Sequence, residues 1–164
     1  MMLALTIWQP WGSLIIAGAK PYEFGGWRTS RSIIGQRVVI HAAARKVDWR
    51  EVHQLVRLLE AGGRYAAKTC LHPSLGLELL RSGMATPATL PIGAGLGTAI
   101  IGEPRNGLEI AEEFGVPRAN DSDRDEHANW GWPMLEIERW AEPIPMRGAQ
   151  GFWPWPTVEA AGLG

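Results

Sequence analysis

Leu5-Thr6-Ile7-Trp8-Gln9-Pro10-Trp11-Gly12-Ser13-Leu14-Ile15, continued by Ile16-Ala17-Gly18-Ala19-Lys20-Pro21-Tyr22-Glu23, is the stretch on which the fold turns. Residues 3–7 read as a short β-strand. Pro10, with φ fixed and no N–H to satisfy, suits the first turn of a helix running to about Ala17. Gly18 supplies the helix stop. Residues 22–27 read as a short extended segment broken by Gly25-Gly26. The pattern is strand, tight helix, glycine stop, then a second extended piece carrying Lys20 and Glu23 at its start.

Working outward, residues 36–42 (Gln-Arg-Val-Val-Ile-His-Ala) form a buried strand with β-branched residues at its centre. The clearest helix follows. Asp48 is its N-cap, Glu51 stands three residues on as in a capping box, and Gly62 marks its end. Val52, Leu55, Val56 and Leu59 recur at helical spacing and give it one apolar face. A second helix is expected between Pro73 and Ser82, ended by Gly83. Residues 90–104, with glycines around Leu96-Gly97-Thr98-Ala99-Ile100-Ile101, suggest a sharply bent barrel strand. A short helix over residues 108–114 and a charged loop over 118–129 come next. Residues 132–140 alternate as a strand, closed by Pro143 and Pro145, and residues 151–156 hold Trp153 and Trp155 among prolines and should be tied to the body. Strands interspersed with short helices predict an α+β fold with an antiparallel or mixed sheet. There is no internal repeat.

The 164 residues fit one domain with a real core. A hydrophobic fraction of 46% against 20% charged is a globular balance, not a disordered one. No run reaches the roughly 18 apolar residues of a membrane span. The start, Met1-Met2-Leu3-Ala4, lacks the basic residues of a signal peptide, and the single cysteine, Cys70, excludes an internal disulfide framework. Together these predict a cytoplasmic protein with no membrane partner. Net charge is −1, which argues against bulk binding of long duplex DNA. The distribution is uneven, however. Residues 20–50 hold seven basic side chains against Glu23 and Asp48, whereas residues 102–140 hold ten acidic against four arginines. Such a basic stretch suits a local phosphate contact, or is simply a solvated surface. Nine tryptophans exceed what a core of this size needs, leaving two or three for a ligand.

In order, Gln9-Pro10-Trp11, Gly18-Ala19-Lys20-Pro21-Tyr22-Glu23, Trp27-Arg28-Thr29 and Ile40-His41-Ala42 resemble the ASCH family, with Gly18, Lys20 and Glu23 matching its G-x-K-x-x-E-x-R signature. Residues 90–97 are similar to the family's second glycine-bearing strand, and residues 143–153 to its C-terminal strand and tail. The signature's final arginine would fall at Gly25, and Arg28 is the nearest arginine. The resemblance implies a single PUA-like domain over residues 1–164: a small β-barrel flanked by helices, with a helical insertion around residues 47–88. It implies a cleft framed by the first helix and the signature loop, binding RNA or a modified nucleotide. Some members are enzymes, among them amidohydrolases acting on N4-acetylcytidine and a ribonuclease. In the amidohydrolases the lysine works with a threonine, at the position of Glu23 here, and with a distant glutamate. Lys20 matches and the threonine does not; Glu112 and Glu113 are the candidates for the glutamate.

The residues also stand on their own chemistry. Gly18 lets backbone approach a ligand. Lys20 is a flexible point charge for a phosphate or a developing oxyanion, and Glu23 holds Lys20 or accepts from a base edge. In an enzyme the two are the catalytic acid–base pair; in a purely structural loop they are an ion pair. Arg28 and Arg31 offer planar forks for phosphate, Thr29 a hydroxyl, Trp27 a stacking face or a core side chain, and His41 a site group or a structural one. Gln150 and Trp153 are weaker candidates. Cys70-x-His72 with His53 and His127 lacks zinc spacing, so no metal and no cofactor are expected. Gly93-x-Gly95-x-Gly97 lacks the spacing of a nucleotide loop, and there is no G-x-S-x-G elbow. Ser13 suits helix packing or the cleft. The leading expectation is a binding module for single-stranded RNA or a nucleotide; the rivals are a small hydrolase of acylated cytidine or RNA using Lys20 and Glu23, and a protein-interaction domain with an empty cleft.

Overall fold

A computed structural model describes residues 1–25, 31–85, 90–117, 119 and 130–156. Among them the order is β1 (Leu3–Ile7), α1 (Trp11–Ile16), β2 (Tyr22–Gly25), β3 (Arg37–Ala42), α2 (Trp49–Ala61), α3 (Gly63–Ala67), α4 (Pro73–Ala85), β4 (Ala94–Ile101), β5 (Arg105–Asn106), α5 (Gly107–Phe114), β6 (Trp130–Pro145) and β7 (Phe152–Pro154). The fold is α+β. A curled half-barrel sheet runs β2-β6-β4-β3-β1-β7, with β5 attached to β6. β1 and β3 are parallel and the other pairs antiparallel, so the sheet is mixed.

The alternation of β1 and β3 divides the molecule. Leu5, Ile7, Val38, Ile40 and Ala42 point into the half-barrel, where they pack with Ile15, Leu96 and Trp132. Ala4 and Val39 point to the other face, where Trp153 covers them. That cover exists because β7 pairs with β1, Ala4 opposite Trp153, which ties down the C-terminal tryptophans as the sequence leads one to expect.

The curl is made at glycines. β4 changes register against β6 between Gly95 and Gly97. A Cβ at Gly97 would run into the Glu138 carbonyl oxygen, and one at Gly95 into the rings of Trp155 and Trp140. Close backbone approach at a bulge is what the glycine-bearing strand provides.

The helical layer is α2 to α4 laid against α1. Asp48 caps α2 by accepting from the N–H groups of Arg50 and Glu51. The four residues of its apolar face are all buried, against Leu14 of α1 and Leu71 and Leu80.

Two sequence expectations are corrected. Gly83 does not end its helix: α4 continues to Ala85, and Gly83 is instead a packing contact, since a Cβ there would lie 3.0 Å from Leu90 Cγ. Pro143 does not close β6, which runs on through it and ends at Pro145, opposite Ala94. Partners from β2 and β5 reach only residues 130–133 of β6, so its far end is an edge where a missing N–H costs no ladder bond. The short helix α3 had no counterpart in the sequence reading. The charged loop at 118–129 lies outside the described residues apart from Ala119.

Candidate functional site

The signature loop is aimed by both ends of α1. At its start Pro10 offers no capping side chain. Gln9, buried just before it, does the work: its Oε1 accepts from the Ser13 N–H at 3.0 Å, and its Nε2 donates to Ser13 Oγ and to the Pro91 carbonyl, both at 2.7 Å. At its end Gly18 takes a φ of 77°, its N–H bonds the Ile15 carbonyl, and the Ala19 N–H bonds the Leu14 carbonyl, each at 2.9 Å. This reciprocal pair is a Schellman stop, and only glycine takes the left-handed step without strain. The chain turns back on the helix and carries Lys20 inward.

Lys20 is 2% exposed. Its Nζ lies 5.2 Å from the centre of the Trp11 ring and 4.8 Å from that of Phe24. Glu23 pairs across β2–β6 with Trp132 and so shares its face. Trp132 is stacked on Phe152 with centroids 5.8 Å apart. The Glu23 Oε2 and Trp132 Nε1 atoms are both out of solvent's reach. The Lys20 ammonium is thus desolvated beside two aromatic rings, and the Glu23 carboxylate is desolvated on the face of β2 that it shares with Trp132.

Tyr22 and Phe24 face the other way, onto Ile110 and Ala111 of α5. The Tyr22 hydroxyl donates to Glu113 Oε2 at 2.8 Å and accepts from Arg105 Nη1 at 2.5 Å, and Arg105 also donates to that oxygen at 2.6 Å. Burial, reinforced by the hydrogen bond to Glu113, raises the phenol's pKa above the ordinary tyrosine value. The bond to Glu113 likewise raises that of Arg105. Of the two candidate glutamates, Glu113 is thus committed to this triad, and Glu112 is exposed.

His41 lies elsewhere. It points to the outer face, 1% exposed, with Trp153 edge-on at 5.3 Å. Its contacts are Thr6, Met146, Trp153 and Trp155, none of which touches Lys20. Arg31 is exposed, as is Gln150. Trp27, Arg28 and Thr29 lie outside the described residues. Gly18 turns the chain so that Lys20 lies against Trp11 and Phe24, Glu23 faces Trp132 from the other side of β2, and His41 lies on the outer face of the sheet. Among the described residues no three His, Cys, Asp or Glu side chains cluster as a metal site.

One feature escaped the sequence reading. Trp8, in the loop between β1 and α1, is 57% exposed, and the Arg45 guanidinium sits 3.8 Å from its ring centre. Arg45 and its neighbour Lys46 are both exposed. Parallel pairing of β1 and β3 carries both chains to the same end of the sheet, where the Ala43 N–H bonds the Ile7 carbonyl, and the stack follows. The available signal was Trp8 directly following one strand and Arg45 lying three residues past the other. Trp8 also connects to the signature, because the Gly12 N–H bonds its carbonyl in the turn that presents Trp11 to Lys20.

A scan against protein-family models and a search of curated proteins each return no match for this chain.

Proposed function

We propose that the chain is a PUA-like module of ASCH type that binds single-stranded RNA or a nucleotide, using the signature loop for the base and the Trp8–Arg45 corner for the strand. The observation that carries this reading is the exposed Trp8 ring paired with Arg45 and flanked by Lys46. An exposed indole gives a base a stacking face, and the guanidinium adds cation–π and phosphate contacts. Burial of Lys20 refines the division of labour. An ammonium 2% exposed does not track a solvated backbone, so phosphate contacts fall to Arg45 and Lys46, and Lys20 with Glu23 meets a group inserted between Trp11 and Phe24.

The hydrolase reading rests on the same Lys20 and Glu23, with Glu113 occupied by Arg105 and Tyr22. One experiment separates the readings. The protein is titrated with short single-stranded RNA, single-stranded DNA and a cytidine nucleoside set including N4-acetylcytidine, following tryptophan fluorescence, and each mixture is analysed for product. Salt-sensitive RNA binding without product, weakened in both Trp8→Ala and Lys20→Ala, is expected. Product that disappears with Lys20 makes the protein a hydrolase, and no response to any ligand overturns both readings.

A further inference from the structure

A cleft of about 150 Å³ opens between α1, the last turn of α4 and residues 139–143 of β6. Gly18, Lys20, Glu23, Trp8 and Arg45 do not line it, so it is separate from the signature loop. Ile16, Leu79, Leu90, Leu96 and Pro143 give it an apolar wall. A space of about this volume has room for a benzene-sized ring.

Among the described residues of its lining Arg139 is the sole charged one. Arg139 pairs with Gly97, which pairs with the core residue Ile40, and its side chain borders the cleft while remaining exposed to solvent. Among the described residues its guanidinium has no hydrogen bond or ion pair, whereas Arg37, Arg81 and Arg105 each have carboxylate partners. Ser13 adds a second donor. Its Oγ already accepts from Gln9 Nε2, which leaves the hydroxyl hydrogen to give. Among the described residues no carboxylate lines the cleft.

We propose that this cleft binds a small organic carboxylate with a ring-sized apolar body, the body against the Ile16–Leu96 wall and the carboxylate on Arg139. One guanidinium balances one negative charge, and its planar fork matches a carboxylate's two oxygens. A phosphate dianion would be left half-compensated, and a neutral ring would leave the arginine unused.

The test is a titration of the full chain with benzoate, benzyl alcohol and inorganic phosphate, followed by amide NMR shifts. Benzoate produces saturable shifts at Ser13, Leu96 and Arg139, and Arg139→Gln weakens it by about tenfold or more. Ser82→Trp, placing a ring at the rim, abolishes those shifts while the spectrum remains that of the folded chain. Benzyl alcohol or phosphate binding as tightly as benzoate, unchanged affinity in Arg139→Gln, or no saturable shift at these residues overturns the proposal. None of these variants touches Trp8 or Lys20, so its failure leaves the RNA reading standing.

Discussion

His41 Nε2 lies 2.7 Å from the Met146 carbonyl oxygen, across a separation of 105 residues. A carbonyl only accepts, so Nε2 is the donor. In the neutral ring Nδ1 then accepts, from Thr6 Oγ1 at 3.1 Å, and Thr6 Oγ1 in turn accepts from Trp153 Nε1 at 2.9 Å. The chain of bonds fixes the tautomer and clamps the C-terminal tail onto the outer face of β1 and β3. His41→Leu leaves the Met146 carbonyl and the Thr6 hydroxyl short of partners. A loss of about 2–4 kcal/mol is expected, read from urea midpoints with a red shift in tryptophan emission. An unchanged midpoint would remove the clamp.

Gly97→Ala should be among the most damaging single changes. The new methyl meets the Glu138 backbone carbonyl, which no side-chain rotation relieves. Destabilisation of about 3 kcal/mol or more is expected, visible as loss of the cooperative thermal transition in circular dichroism. Gly35→Ala is the control: its φ of 81° carries backbone strain, but nothing lies within 4 Å of the added carbon.

Gln9→Ala removes the side chain that caps α1 and ties it to Pro91. A cost of about 1–2 kcal/mol is expected in chemical denaturation. Gln9→Glu keeps the acceptor for the Ser13 N–H but sets a buried carboxylate oxygen against the Pro91 carbonyl, and should cost more than Gln9→Ala.

Tyr22 gives the fold an alkaline limit. Its phenol ionises above the ordinary value near 10 because burial and the bond to Glu113 favour the neutral form. The folded chain therefore keeps a proton that the unfolded chain releases. This contribution is fully present below pH 10 and is lost as pH rises through the folded pKa. Urea midpoints measured upward from pH 9 should fall, and Tyr22→Phe should show a shallower fall. Parallel profiles would show that Tyr22 does not contribute.

Trp8→Ala should weaken single-stranded RNA binding by about 1–3 kcal/mol while leaving the melting temperature unchanged, since the ring is mostly exposed. Arg45→Gln should lower the slope of log affinity against log salt by about 1. Equal RNA affinity in Trp8→Ala and wild type would place the strand elsewhere.

The sequence by itself determined what depends on neighbours a few residues apart. The strand ending at Ile7, the helix stopped by Gly18, and the Asp48-capped helix with Val52, Leu55, Val56 and Leu59 inward all follow from caps, turn chemistry and periodicity. Only the tertiary structure decided what depends on distant partners. Gly83 reads as a helix stop until Leu90 is seen packed on it, and Pro143 as a strand end until β6 is seen to have a bare edge there. Lys20 carries no mark of burial until Trp11 and Phe24 enclose it. His41 and Trp153 meet only because β7 returns to β1, and Trp8 meets Arg45 only because β1 and β3 run parallel. Local spacing fixes which way a side chain faces along its own element; what it faces is set by strand pairing across the whole chain.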